Sequence, residues 1–167
     1  MSLRVLRCPQ GGPRFALGRP GGETMTSTSR FVDDYLGYLL GQANHAMYKE
    51  FDAQVRAAGL SSIEWRVLAT LHDTEPLTVG DLAREVLSKQ PTITKLVQRM
   101  AEQGWVSIQT DPTDQRCTRV AATAAGKRKV RSLILKAKAH EVRALRSLDA
   151  MEIRALKGFL QRLSEQG

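Results

Sequence analysis

The chain has 167 residues, 42% of them hydrophobic and 25% charged, which is the composition of one soluble globular domain of ordinary size. No apolar run approaches the roughly 18 residues of a membrane-spanning helix, so we expect no membrane segment. Two cysteines are too few for a disulfide framework, and they favour a reducing, cytoplasmic location.

The net charge of +8 is unevenly distributed. Residues 31–86 hold 4 basic and 9 acidic groups, a net −5, whereas residues 87–146 hold 13 basic and 4 acidic groups, a net +9. Such a localised basic segment indicates a polyanion-binding face. A basic helix surface that serves only solubility would give the same count, so charge alone leaves both interpretations open.

Residues 1–30 are rich in glycine, proline and arginine and lack hydrophobic periodicity, which predicts a disordered tail. The tail has no continuous apolar stretch of the kind found in a secretory signal. Met25 is a candidate natural start, which would place residues 1–24 outside the native protein.

Apolar residues recur every four positions from Phe31 onward and predict a long first helix that stops at Gly59. Ser61 and Glu64 have the spacing of a capping box, which predicts the start of a second helix.

Thr78 and Asp81 are placed to start a short third helix. Pro91 is tolerated only in a first turn, so the fourth helix is predicted to begin within 88–90 and to end at Gly104. Its predicted buried stripe is Ile93, Leu96, Val97 and Met100.

Two strand-like runs, "WVSIQT" and "RCTRVAA", flank a proline-containing turn and predict a β-hairpin. Thr123 is expected to cap a long basic helix, and Asp149 with Glu152 to box the last helix. The apolar face of that last helix is predicted to be Leu156, Phe159, Leu160 and Leu163.

Two short helices joined by a tight turn, with a hairpin directly after the second, have the order of a winged helix-turn-helix. The fold class is therefore predicted to be mainly α with a small β-hairpin. The second helix of such a unit carries polar residues that reach base edges. Here those candidates are Gln90, Pro91, Thr92, Thr94 and Lys95, and the candidates for phosphate contacts are Arg84, Lys89, Arg99 and Arg119. An ordinary amphipathic helix with a solvated face is the simpler alternative.

The run from "SSIEWRVLATL" through "DPTDQRCTRVAATAAGK" resembles the MarR family of transcriptional regulators. The resemblance covers Asp33 to the C-terminus, and its most specific part is the pattern D-P-x-D-x-R…V-x-L-T-x-x-G. Ala122 stands where the family usually has leucine, which affects packing rather than DNA binding. The positions that match are Asp111, Pro112, Asp114, Arg116, Val120, Thr123 and Gly126.

The resemblance implies a homodimer that binds double-stranded DNA at a palindromic operator. It implies that Arg116 enters the minor groove at the tip of the wing and that Asp114 orients the wing. It also implies dimerisation through residues 31–60 and 124–167, with DNA binding by residues 61–123. Many family members bind a small aromatic effector in a cleft between these parts. The candidates for such a cleft are Tyr38, Trp65 and His72, for which core packing is the alternative.

Other kinds of site find little support in the sequence. Asp111 and Asp114 lie on a polar turn beside arginines, where nothing would raise the pKa of a carboxyl group for acid catalysis. The three histidines are on separate predicted helices without ligand-like spacing, so no metal or other cofactor is expected. Cys117, between two arginines, is either a passive strand residue or a thiol of lowered pKa.

The sequence thus predicts a cytoplasmic, non-enzymatic, sequence-specific transcription regulator, a repressor rather than an activator. The operator, the regulated genes and the effector are beyond what this sequence specifies. Two alternatives stay open: a dimeric helical interaction module that does not bind DNA, and a non-specific architectural DNA binder.

Overall fold

Seven helices and three short strands lie within residues 30–110 and 118–165, the two ranges that the computed structural model describes. The strands form one antiparallel sheet in the order β1–β3–β2, and the chain is mainly helical. The predicted tail, apart from Arg30, lies outside the described residues. In chain order the elements are α1 (Phe31–Asp34), α2 (Leu36–Ala57), α3 (Ser62–Thr70), β1 (Leu77–Thr78), α4 (Val79–Glu85), α5 (Gln90–Glu102), β2 (Val106–Thr110), β3 (Thr118–Ala122), α6 (Ala124–Ala144) and α7 (Ala150–Ser164).

The first predicted helix is interrupted at Tyr35, where the backbone is extended with φ −75° and ψ 113°. The Tyr35 ring stacks on Phe31 at 4.9 Å and covers Gly37, where a Cβ would lie 3.1 Å from the ring. The prediction of one continuous helix from Phe31 was therefore wrong at this position. The end of α2 agrees with the prediction, because Gly59 takes a φ of +70° after the last turn.

Four helices begin at the side-chain caps expected from the sequence. In the capping box of α3, the Ser61 amide donates to Glu64 Oε2 at 2.8 Å, and Ser61 Oγ accepts from the Glu64 amide at 3.4 Å. Each cap satisfies amide donors that have no partner inside the helix and contributes about 1 kcal/mol. The caps of the other three helices are Thr78, Thr123 and Asp149.

The core lies between α2–α6 and the sheet. Each α5 residue of the predicted stripe is at most 5% exposed. Burying each of these side chains contributes about 2 kcal/mol to the stability of the fold. The remaining fully buried large side chains include Leu68, Leu71, Leu82, Val120 and Leu133. Helix α7 has no buried residue and shows its apolar face to solvent in the single protomer.

The predicted hairpin is confirmed by strands β2 and β3, which pair from Val106 opposite Ala122 to Thr110 opposite Thr118. Strand β1 was not predicted, because two residues are too short to show a strand periodicity. It pairs with β3, with Leu77 opposite Val120, and thereby joins the start of α4 to the hairpin. No helix in the described ranges combines the length and the apolar character needed to cross a membrane.

Candidate nucleic-acid interface

Helix α5 presents a polar face opposite its buried stripe. Gln90, Pro91, Thr92 and Lys95 are exposed, and Thr94 is half-buried. The buried stripe fixes the rotation of the helix, because turning these polar residues inward would expose four large apolar side chains. All five residues predicted to read bases therefore lie together on or beside the outward face of one helix.

The N-terminus of α5 has no side-chain cap, unlike the N-termini of α3, α4, α6 and α7. Its N-cap position is occupied by Lys89, which is exposed, and Pro91 removes one amide donor from the first turn. A helix N-terminus that carries a partial positive charge beside a lysine is suited to a phosphate oxygen.

The side chains of Thr94 and Gln90 are partly engaged within the helix-turn-helix. Thr94 Oγ1 donates to the Gln90 carbonyl at 3.0 Å, which leaves the hydroxyl oxygen as an acceptor. Gln90 Oε1 lies 3.7 Å from where a Cβ on Gly80 would be, so its side chain reaches toward α4.

The turn between α4 and α5 contains Leu87 in the left-handed conformation, with φ +51°. The Leu87 amide donates to Arg84 O at 3.0 Å and the Ser88 amide to Ala83 O at 2.9 Å, the bonding of a Schellman motif. The position usually holds glycine, because a Cβ is strained at positive φ. Leu87 is also 85% exposed, so its side chain gains little from burial.

Three of the four arginines and lysines predicted to contact phosphate already contact protein groups. Arg84 forms a close ion pair with Asp81, and Arg119 Nη1 donates to the Pro76 carbonyl at 3.4 Å. Hydrogen bonds from Thr78 and Arg84 lower the pKa of Asp81 below its usual value, so this carboxylate is charged at neutral pH. All four side chains remain exposed at the surface.

Arg99 is engaged differently, because its partner is not on a neighbouring turn. Its Nη2 donates to Glu64 Oε1 at 3.3 Å, across 35 residues of sequence. Glu64 is only 8% exposed. The sequence identified Glu64 as a capping residue and gave no indication of this second contact.

The base of the wing is described, and its tip is not. Arg119 lies opposite Gln109 on β2 and opposite Thr78 on β1, at the centre of the sheet. The predicted wing-tip residues Asp114 and Arg116, together with Cys117, lie outside the described residues. Their roles stay predictions.

The three residues suggested for an effector cleft are not gathered at one place in the protomer. Trp65 is half-buried with its ring 5.4 Å from that of Phe51, which agrees with core packing. Tyr38 is 45% exposed and precedes Phe51 on α2 by thirteen residues, or about 20 Å of helix. His72 lies in the turn after α3 beside Asp73, so its prediction as a helical residue was wrong.

A cavity of about 740 Å³ opens between α2, α6 and α7. His140 closes one side of it: its ring is 5% exposed, its Nε2 lies 2.8 Å from Glu50 Oε2, and it packs 5.9 Å from the Phe51 ring. His140 thus lies at a helix interface. The apolar wall of the cavity includes Leu40, Met47, Leu145, Leu156 and Leu160.

The described ranges hold no cluster of three or more histidine, cysteine, aspartate or glutamate side chains arranged to bind a metal ion. Sequence reasoning also missed Gln98, an exposed residue of α5. Gln98 follows Lys95 by three positions and Thr94 by four, so that it extends the polar face by one turn. That spacing was a usable signal.

The sequence profile described as the MarR family matches residues 58–116. The chain is 29% identical over 94 residues to the transcriptional repressor IacR of Pseudomonas putida, a match that covers 56% of this chain and 56% of IacR. It is 32% identical over 95 residues to the transcriptional activatory protein BadR of Rhodopseudomonas palustris, covering 55% of this chain and 54% of BadR. The chain thus spans little more than half the length of each of these two relatives.

Solved structures give fuller coverage. The crystal structure of a MarR family transcriptional regulator from Silicibacter pomeroyi is 34% identical, with a TM-score of 0.72 over 82% of this chain and 98% of that one. The S. aureus MepR–DNA complex is 18% identical, with a TM-score of 0.67 over 80% and 98% of the two chains. NadR in complex with 4-hydroxyphenylacetate is 21% identical, with a TM-score of 0.72 over 85% and 97%. At such identities the last two indicate a shared fold alone.

Proposed function

The chain belongs to the MarR family, and on this premise we propose that it is a sequence-specific DNA-binding transcription regulator that acts as a homodimer in the cytoplasm. The observation that carries the proposal is the arrangement of α5, where an exposed polar face at the N-terminal end is held by a fully buried stripe. We propose that the protein represses transcription, in line with the name of IacR. The name of BadR is that of an activator.

We assign base reading to the N-terminal half of α5. A glutamine side chain bonds adenine with both its donor and its acceptor, and a lysine reaches guanine or a phosphate. Threonine offers a methyl group to thymine and a hydroxyl oxygen to a base donor. In this proposal Gln90, Thr92, Thr94 and Lys95 read the major groove, Pro91 sets the start of the helix, and Gln98 extends the contact surface.

Phosphate contacts hold the helix in the groove. Lys89 lies beside the uncapped N-terminus of α5, and Arg84 lies one turn before the connection to α5. Arg119 is at the centre of the small sheet, from which the wing extends. We propose that Arg116 enters the minor groove from that wing and that Asp114 orients it.

The homodimer is proposed from the apolar surface that one protomer leaves open. Leu156, Phe159, Leu160 and Leu163 on α7 are each 38–40% exposed, and Leu36 and Leu39 on α2 are each 45% exposed. An exposed apolar surface of this kind marks an interaction site. A second copy bound through residues 31–60 and 124–167 would place two recognition helices about 34 Å apart and select a palindrome.

A small aromatic effector is proposed as the signal that releases DNA. NadR has been solved with 4-hydroxyphenylacetate, an aromatic acid. Tyr38 lies about 20 Å along α2 from Phe51, against which Trp65 packs, so we propose that a cleft containing both tyrosine and tryptophan takes Tyr38 from the second copy. His72, next to Asp73 in the turn after α3, would lie at the edge of that cleft.

The test is a selection of bound duplexes from a random pool, followed by titration of the selected duplex at several salt concentrations. We expect a palindrome bound at least about 1000-fold more tightly than random DNA, with an affinity that falls as salt rises. Equal, salt-dependent binding to all duplexes would identify an architectural DNA binder instead. A dimer without DNA binding would identify an interaction module. A transcriptional reporter behind the palindrome then gives the sign of regulation, and candidate aromatic acids are added to the same assay.

Two variants test the residue assignments. Gln90→Ala should change the preferred base at one position of each half-site by about 1–3 kcal/mol. Arg116→Ala should weaken binding most at sites with a narrow, A·T-rich minor groove beside the half-site. A uniform loss on all sequences would make each residue a phosphate or packing contact.

A further inference from the structure

A buried carboxylate at the start of α3 holds the far end of α5. Glu64 Oε2 accepts from the Ser61 amide at 2.8 Å and from Ser61 Oγ at 2.7 Å, while Glu64 Oε1 accepts from Arg99 Nη2 at 3.3 Å. One oxygen therefore completes the capping box, and the other joins α3 to the last turn of α5.

The Glu64 carboxylate is charged at neutral pH despite its burial. Burial by itself raises the pKa of the carboxyl group, but the hydrogen bonds from Ser61 and Arg99 outweigh that effect and leave the pKa below its usual value. A buried charge that loses a partner is strongly destabilising, because water cannot replace the lost interaction. Glu64 consequently favours the position of Arg99 in which the guanidinium stays beside it.

The same end of α3 is also attached to α2. Ser62 Oγ donates to Asp52 Oδ1 at 3.1 Å, Tyr48 Oη donates to the same oxygen at 3.2 Å, and Arg56 forms an ion pair with Asp52 Oδ2 at 2.6 Å. Ser61 and Ser62 are adjacent in sequence. Polar contacts therefore run from α2 through the first turn of α3 to α5.

The contacts of Arg99 lie at the end of α5 opposite the residues assigned to base reading. Nine residues, roughly 14 Å of helix, separate Arg99 from Gln90. A constraint at this end controls the direction in which the helix points, because a small rotation there moves the N-terminal end by a larger distance.

We propose that Arg99 is a positioning residue that acts through Glu64 to fix the direction of the recognition helix relative to α2, and that it makes no phosphate contact. The proposal rests on the proposed function, because it concerns how accurately the two recognition helices of a dimer match the spacing of an operator. The alternative for an exposed arginine on this helix is a direct contact with a phosphate.

The two roles predict opposite effects of Glu64→Gln. If Arg99 positions the helix, Glu64→Gln and Arg99→Gln each weaken binding to the selected palindrome by about three- to tenfold, and the double variant is no weaker than either. The salt dependence stays that of the wild type. Discrimination against palindromes with one base pair more or less between the half-sites decreases in all three variants.

If Arg99 contacts a phosphate, Glu64→Gln strengthens binding by releasing the guanidinium, and Arg99→Gln lowers the salt slope by about 1.8, which is about 0.9 for each of the two protomers. That outcome, or unchanged affinity and spacing preference in both single variants, overturns the proposal. Glu102→Gln is the matched control. Glu102 is exposed on the last turn of α5, and its substitution by glutamine removes the same charge as Glu64→Gln. The affinity of Glu64→Gln is therefore measured relative to that of Glu102→Gln, and a gain beyond this control overturns the proposal.

The proposed function and this proposal fail in distinguishable ways. A wild-type protein that does not prefer a palindrome contradicts the proposed function. The Glu64–Arg99 link is measured without DNA by amide hydrogen exchange in α5, where both single variants should exchange faster than the wild type and than Glu102→Gln. Exchange rates equal to those of the wild type contradict the positioning role whatever the DNA result.

Discussion

A Cβ atom added to Gly126 would lie 2.0 Å from the carbonyl oxygen of Trp105, far inside van der Waals contact. The first turn of α6 and the start of β2 are thus in direct backbone contact. Thr123 fixes this approach, since its Oγ1 donates to Gly104 O at 2.6 Å and its amide donates to Trp105 O at 3.0 Å. The wing is therefore attached at its base to α6, which continues into the α2–α6–α7 surface proposed for dimerisation.

Gly126→Ala should destabilise the protein by about 3 kcal/mol, the upper end of the range for overpacking, because neither backbone segment can move away cheaply. Chemical denaturation measures this free energy of unfolding. Gly41→Ala is the control, because among the described residues nothing lies within 4 Å of a Cβ at that position. It should stabilise α2 by about 0.5–1 kcal/mol. Equal effects of the two substitutions would contradict the close contact.

Leu87→Gly should raise the free energy of unfolding by about 0.5–1 kcal/mol. A left-handed leucine costs about 1–2 kcal/mol, and the extra freedom of glycine in the unfolded chain returns only part of it. Leu87→Ala separates backbone strain from the loss of the leucine side chain, because alanine keeps the Cβ. We expect the free energy of unfolding of Leu87→Ala to equal that of the wild type. A gain as large as that of Leu87→Gly would show that the positive φ is not the cause of the stabilisation.

Asp52 should support stability above its ordinary pKa of 3.8. Burial raises the pKa of this carboxyl group, but hydrogen bonds from Ser62, Tyr48 and Arg56 outweigh burial and lower it in the folded protein. A lowered folded pKa means that the contribution is present above pH 3.8 and is lost as pH falls through the folded value. Asp52→Asn should therefore be destabilised most above pH 3.8 and should approach the wild type only as pH falls from 3.8 through the lower folded pKa.

Denaturation at a series of pH values measures this difference. The matched control is Asp34→Asn, which removes the same charge from an exposed position on α1. A constant gap between Asp52→Asn and the wild type down to about pH 2 would contradict the charged hydrogen-bonded state of Asp52.

Leu160→Glu should shift the proposed homodimer to monomer. Leu160 lines the cavity between α2, α6 and α7 and is 38% exposed, so that burial against a second copy would place the new carboxylate in an apolar contact. Analytical ultracentrifugation at micromolar protein concentration measures the oligomeric state. Gln161→Glu adds the same charge at the next residue of α7 and should remain dimeric. A Leu160→Glu variant with the mass of the wild type would show that this face is not the interface.

Much of the fold was predictable from short stretches of sequence. The caps at Ser61, Thr78, Thr123 and Asp149 use bonds within three residues, so that each helix start depends on local chemistry. The buried stripe of α5 follows from the 3.6-residue period, and the hairpin from two strand-like runs around a turn. These features gave the winged helix-turn-helix order, and with it the outward face of the recognition helix.

Errors arose where a contact between side chains overrode the local pattern. Tyr35 is helical by periodicity, but its stacking on Phe31 accompanies an extended backbone that divides the helix. Strand β1 exists only because Leu77 and Thr78 meet β3, about forty residues later in the chain. Two residues are too few to show the alternation of polar and apolar side chains that identifies a strand.

The sequence by itself determined where α3, α4, α5, α6 and α7 begin and which face of α5 is polar, because these depend on spacing of a few residues. Only the tertiary structure decided that Arg99 meets Glu64 across 35 residues and that His140 meets Glu50 across 90. It also placed Tyr38 and Trp65 apart in one protomer. Such contacts are set by how helices pack against one another, and a packing arrangement is a property of the whole core rather than of any segment.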